Sequence, residues 1–214
     1  MDWLQEYLVA DERGRASAVV RPVPGLAFPA VWVHCEFLIE FNAAQSVVLE
    51  GPSRHRLARR GEAHFQPMRL ETWTNASGPA PSDLVEQVLG LPFDARRDEV
   101  LRGRIWKPVL EELPTWSVLC RESAEAAWED VRGSALLESA LNSALDSAEQ
   151  DTVRRFAILE ARALRLPSGP ERRAAREELR LERDAAQALT AGIRNPWIRL
   201  VACGACVLWP EENF

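Results

Sequence analysis

Two cysteines stand three apart near the C-terminus, in Cys203-Gly204-Ala205-Cys206. A C-x-x-C pair chelates zinc or cycles as a thiol–disulfide couple when a turn or helix N-terminus brings both sulfurs together. The residues around it, Trp197 to Trp209, form an almost uniformly apolar run between Pro196 and Pro210. Such a run predicts a strand buried on both faces. Positions three apart on a strand point to opposite faces, and there is no second C-x-x-C and no paired histidine. The expectation is therefore two small buried apolar side chains. Zinc or thiol-redox chemistry through Cys203 and Cys206 stands as the alternative.

His34 lies directly beside Cys35, a nucleophile–base combination by residue type. Both fall in the strongest strand of the chain, where adjacent residues face opposite ways, so the two cannot share a hydrogen bond. Nucleotide hydrolysis is argued against more firmly. A phosphate-binding loop needs Gly-x-x-x-x-Gly-Lys-Ser/Thr, yet the single lysine, Lys107, sits between Trp106 and Pro108. There is no Gly-x-Gly-x-x-Gly turn either. The chain is expected to carry no catalytic centre, no metal site and no cofactor.

Arg54, Arg56, Arg59 and Arg60, with His55 among them, make the one concentrated basic cluster. Guanidinium groups bind phosphate or carboxylate through paired hydrogen bonds. The plainer reading is a solvated loop that offsets nearby acids. If the chain touches nucleic acid or an acidic partner, these four arginines are the candidates. With 26 basic against 32 acidic residues the net charge is -6, so contact with nucleic acid must be local. The eight tryptophans are core by default; exposed ones would mark an interface.

The elements that must position these residues read as α+β. Ala18–Val23 and Ala30–Phe41 predict strands, the latter with Val31, Val33, Cys35, Phe37, Ile39 and Phe41 on one face. Gln45–Leu49 and Met68–Thr74 predict two more, and Gly51–Glu62 predicts a loop. One buried and one wetter face point to an antiparallel sheet. A short helix, Leu84–Leu89, follows the cap residues Ser82 and Asp83, and Arg96–Glu112 predicts another helix. From Pro114 the period changes to 3.6. A helix is predicted to run to Leu166, with a break near Gly133 and a stripe of Leu137, Leu141 and Leu145 extended by Val153, Phe156, Leu159 and Leu164. Leu166 to Pro170 reverses the chain into a second helix, Glu171–Ala191. The expected organisation is a β-rich antiparallel segment over residues 1–76, connecting helices over 77–113, and a long antiparallel helical hairpin with a closing buried strand over 114–214. The N-terminus lacks the layout of a signal peptide, no apolar run is long enough to span a bilayer, and four scattered cysteines suit a reducing compartment. The expected location is cytoplasmic.

Three stretches carry a family resemblance: Ser117–Leu166 with its Leu159-Glu160-Ala161-Arg162-Ala163-Leu164 ending, Glu171–Gly192, and Ile198–Leu208. Together they resemble the C-terminal region of RapA/HepA-like bacterial Swi/Snf-type helicases, the RNA-polymerase-associated ATPases. Trp32–Phe41 and Met68–Trp73 resemble strands of the segment that precedes it there. The Cys-Gly-Ala ending is closer to the DpdE-type defence branch. The chain departs from the pattern at Ala202, where the family has aspartate, and it has none of the helicase motifs. The resemblance implies a non-catalytic accessory region that contacts DNA, RNA polymerase or a defence-complex protein, fused to or encoded beside a Swi/Snf-type ATPase. The alternative is a free-standing scaffold that dimerises through the Leu137, Leu141, Leu145 stripe.

Overall fold

The computed structural model describes residues 16–45, 52–100 and 116–211. The class is α+β: a six-stranded sheet with four longer helices. The strands are β1 (Ala16–Val23), β2 (Ala30–Glu40), β3 (Met68–Asn75), β4 (Gly78–Pro79), β5 (Glu99–Val100) and β6 (Trp197–Pro210). The helices are α1 (Pro52–His64), α2 (Trp116–Arg132), α3 (Ala135–Arg165) and α4 (Pro170–Arg194). The chain divides into two compact units that interleave in sequence. Unit 1 takes Met1–Phe37, Arg69–Ser134 and Leu200–Phe214; unit 2 takes Leu38–Met68 and Ala135–Arg199. This departs from the sequential division 1–76, 77–113 and 114–214. The physical reason is pairing between strands from the two ends of the chain.

In unit 1 the sheet order is β4-β3-β2-β6-β1-β5. β6 therefore sits between β2 and β1, and from Cys203 to Pro210 every residue is buried, as its apolar run predicts. β1 pairs with β6 in parallel, from Ala16 opposite Cys203 to Val23 opposite Pro210. The expectation of an antiparallel sheet is corrected: the sheet is mixed, with antiparallel β1–β5 and β3–β4 pairs. Along β2 the alternation holds, since Val33, Phe37 and Ile39 are fully buried while His34, Glu36, Leu38 and Glu40 are half-buried. Trp32 breaks the pattern. It is buried on the wetter face because Leu89, Cys206 and Leu208 pack against it, with Leu84, Val85 and Val88 beside them.

That cover comes from the short helix, which is a three-residue turn, Ser82–Leu84, widening into a π turn, Val85–Leu89. Neither Ser82 nor Asp83 caps it; Pro81 precedes the first turn. α2 is pinned by Thr72 Oγ1 donating to Asp130 (2.5 Å) and Thr74 Oγ1 donating to the Ser123 carbonyl (2.7 Å). The Phe37 and Trp128 rings meet edge-on at 4.8 Å. The helix predicted over 96–112 is corrected at its start, where Glu99 and Val100 are a strand paired with β1; residues 101–112 lie outside the described residues. The break at Gly133 is observed between α2 and α3.

Unit 2 holds the hairpin of α3 and α4. Leu137, Ala144, Ala148 and Ala163 are buried on α3, and Ala175, Leu189, Gly192 and Ile193 on α4. Small residues recurring in these rows let one helix seat its ridges against the other. Val153 and Leu164 leave the apolar stripe, at 61% and 75% exposed. The helical period instead carries the row through Thr152, Phe156, Leu159 and Ala163. The loop predicted over Gly51–Glu62 is corrected: Pro52–His64 is α1. Arginine, alanine and leucine are strong helix formers, and a proline suits the first turn. The strand predicted at Gln45–Leu49 is corrected at Gln45, which closes a 3₁₀ turn; residues 46–49 lie outside the described residues.

α1 seats Leu57, Gly61 and Phe65 inward, one helical turn apart. The Phe41 ring lies against two glycines. A Cβ on Gly61 would collide with its Cγ–Cδ1–Cε1 edge, and one on Gly192 would lie 2.5 Å from Cε2 and 2.7 Å from the Asn42 carbonyl. These glycines are close-approach positions that let α1 and α4 both reach one aromatic ring.

Candidate functional site

The four arginines fall on α1 and are not equivalent. Arg56 and Arg59 are exposed on its outer side, and the side chain of Arg54 lies outside the described residues. Arg60 turns inward and is only 12% exposed at its side chain. Its Nε donates to Asp151 (3.0 Å), Nη1 to Glu182 (2.6 Å) and Nη2 to Thr152 Oγ1 (3.3 Å). Asp151 also accepts from Arg155 Nε at 2.9 Å. Burial opposes the ionisation of Asp151, but the hydrogen bonds and charges of Arg155 and Arg60 outweigh it and hold the carboxyl below its usual range. Arg60 thus ties α1 to both helices of the hairpin. Its donors are taken up by Asp151, Glu182 and Thr152, while Arg56 and Arg59 are the exposed members of the cluster among the described side chains.

His64 ends α1 beside the same carboxylate. Its Nδ1 lies 2.9 Å from Ser147 Oγ and its Nε2 3.6 Å from Asp151. A serine, a histidine and an aspartate therefore converge, a grouping that spacing along the chain did not show. Ser147 sits in the interior of α3, where backbone N–H groups are committed to the helix ladder. They are unavailable to stabilise an oxyanion, which acyl transfer requires. Asp151 is already shared by two arginines. The group is suited to anchoring α1 on α3.

A second buried ion cluster lies in unit 1. Arg21 on β1 gives Asp98 a two-pronged bond, Nε to Oδ1 at 2.9 Å and Nη2 to Oδ2 at 2.8 Å. The remaining donors reach the carbonyls of Val88 and Leu91. Asp98 also receives Arg97 Nε (2.7 Å), Arg97 Nη2 (2.9 Å) and the Asp94 backbone N–H (3.0 Å). Burial alone would raise the Asp98 pKa. The bonds from Arg97 and Arg21 reverse this and hold the carboxyl well below the carboxylate range. Both Asp98 oxygens and three nitrogens of Arg21 are engaged, so the cluster fastens the 88–98 segment to the sheet.

The cysteines end on opposite faces, as strand geometry requires. Cys206 belongs to the Trp32 and Leu208 cluster, whereas Cys203 neighbours Cys35. C-x-x-C chelation needs both sulfurs on one side, and the regular course of β6 sends Cys203 and Cys206 to opposite faces. Burial pushes the thiols of Cys203 and Cys206 up to about 11. Burial, with the neighbouring Cys203, pushes Cys35 up to about 12. His34 packs instead on the Trp73 ring at 4.8 Å, with Glu71 3.6 Å away. In a Cys120→Ser variant, the three remaining thiols are expected to react with an aromatic disulfide reagent at pH 8 about 100-fold more slowly folded than in denaturant. Rapid labelling of the native protein would contradict their burial as neutral thiols.

The Leu137, Leu141, Leu145 stripe is not an exposed seam. Leu137 is 4% exposed and the other two are half-buried. No helix among the described residues is long and apolar enough to cross a membrane. The chain matches no family model and no curated protein sequence.

Proposed function

We propose that the chain is a non-catalytic accessory region of a RapA-like Swi/Snf-type DNA translocase, contacting DNA, RNA polymerase or a defence-complex protein on behalf of the ATPase. The observation that carries this reading is the form taken by the three resembling stretches. α3 and α4 make one long hairpin, and the chain leaves it directly into β6, the order of elements that the resemblance implies. Two further features support it. The buried pair Arg21 and Asp98 and the half-buried pair Arg60 and Asp151 are each engaged and hold elements in place. The described thiols are buried and held neutral.

Purified chain given ATP, magnesium and duplex DNA is expected to release no phosphate above a protein-free blank. Turnover that co-purifies with the chain would refute the reading. For a DNA contact, Arg56 and Arg59 are the exposed cations of α1 among the described side chains. Anisotropy titrations of labelled duplex with Arg56→Ala and Arg59→Ala should show the slope of log affinity against log salt falling by about 0.9 for each arginine removed. An unchanged slope would take Arg56 and Arg59 out of any DNA interface.

A further inference from the structure

Within unit 2, α4 sorts its charges around the helix. Each residue turns the helix by about 100°, so Arg172, Arg176, Arg183 and Arg194 fall within an arc of about 40°. Along the axis this row extends over about 33 Å, at about 1.5 Å per residue. Arg176, Arg183 and Arg194 are exposed and Arg172 is half-buried.

The acids of α4 lie on other arcs, and most are engaged. Glu177 and Asp184 hold Arg180, Glu178 accepts from Arg162, and Glu182 accepts from Arg60. Glu171 stands about 100° from Arg172, on the side away from the row. The four arginines of the row make no ion pair among the described residues. Arg172 Nε is buried with no acceptor there. In a chain of net charge -6, four uncompensated cations in one line are a local surplus that a polyanion can neutralise.

A groove of about 770 Å³ between α3 and α4 opens on the row. Arg183 and Arg194 line it, together with Gln187 and Thr190 of the same helix. Amide and hydroxyl side chains of this kind hydrogen-bond phosphate oxygens. Glu149 of α3 is the one carboxylate among the lining residues.

We propose that this face of α4 binds the phosphate backbone of double-stranded DNA without reading its sequence. Guanidinium groups grip phosphate through paired hydrogen bonds. A straight, stiff row about as long as one duplex turn (~34 Å) suits a stiff polyanion. Single-strand grooves stack bases on aromatic side chains, and the row has none. The exposed side chains of this arc, Arg176, Arg183, Gln187 and Arg194, are all polar, whereas a protein partner would seek an apolar anchor. The contact goes beyond the role proposed above: it is made by α4 and not by the arginine cluster of α1, and it needs no ATPase.

The probe is a labelled DNA duplex of about two turns, titrated with the full chain at several salt concentrations and read by anisotropy. Arg172→Gln/Arg176→Gln/Arg183→Gln/Arg194→Gln should weaken binding at least about tenfold and lower the slope of log affinity against log salt by about 0.9 for each arginine removed. Circular dichroism and Tm should stay unchanged, because glutamine is a strong helix former. If the fourfold variant folds poorly, Arg183→Gln/Arg194→Gln alone should lower the slope by about 1.8. Glu149→Gln should act in the opposite direction and tighten binding about twofold. Unchanged affinity and slope in a folded variant would overturn the proposal. So would a single strand, or polyglutamate of equal charge, bound as tightly as the duplex. A chain that joins the ATPase but fails these titrations loses only the α4 contact; one that passes them without joining it loses only the ATPase assignment.

Discussion

Asp98→Ala will lower the free energy of unfolding by about 3–5 kcal/mol, the loss typical of removing one partner from a buried ion pair. Its carboxylate has no exposed surface and Arg21 is 4% exposed, so the guanidinium left behind can recruit little water. It would keep only the carbonyls of Val88 and Leu91, and Arg97 and the Asp94 N–H would lose their acceptor as well. Urea titration checks this; a variant within about 1 kcal/mol of wild type would contradict it. Asp98→Asn separates charge from shape. The folded-state pKa of Asp98 lies below its ordinary value, so its contribution is complete above about pH 4 and fades as acid protonates the native carboxylate. The stability gap between wild type and Asp98→Asn should therefore narrow from pH 5 toward pH 2. A gap that stays constant would mean the charge is not what holds the segment.

Gly192→Ala will destabilise the chain by on the order of 3 kcal/mol, the upper part of the range for overpacking a filled core. An added methyl meets Phe41 Cε2 at 2.5 Å and the Asn42 carbonyl at 2.7 Å. The ring cannot swing away, because Gly61 of α1 occupies its other edge. Gly61→Ala should show a similar loss by the same mechanism. The diagnostic is coupling. In a Phe41→Leu background each alanine should be less destabilising, giving an interaction energy above about 1 kcal/mol in a double-mutant cycle. Additive effects would mean that backbone strain, and not the ring, sets the cost.

The local elements were open to reading from residue pattern alone. Period two along β2, the apolar run of β6 and the 3.6-residue recurrence in α3 and α4 each report burial of a single element. What escaped was set by partners distant in the chain. α1 reads as a loop because Pro52, Ser53, Gly61 and clustered arginine suggest one; Gly61 is tolerated there because its bare Cα faces Phe41. The parallel pairing of β1 with β6 joins opposite ends of the chain, and nothing in either strand specifies the other's direction. For the candidate site, the arginine cluster was visible, but its division was not. Arg60 differs from Arg59 only in facing Asp151 and Glu182, which arrive from α3 and α4. The cysteine pair is the contrary case, because strand geometry alone separates Cys203 from Cys206.

The most direct test titrates the full chain into a RapA-like Swi/Snf-type ATPase from which the C-terminal region has been removed, read by calorimetry and by DNA-stimulated phosphate release. The account predicts a one-to-one complex with altered DNA-dependent ATPase activity, and no hydrolysis by the chain itself. Absence of any complex at tens of micromolar, with an ATPase rate indifferent to the chain, would contradict it.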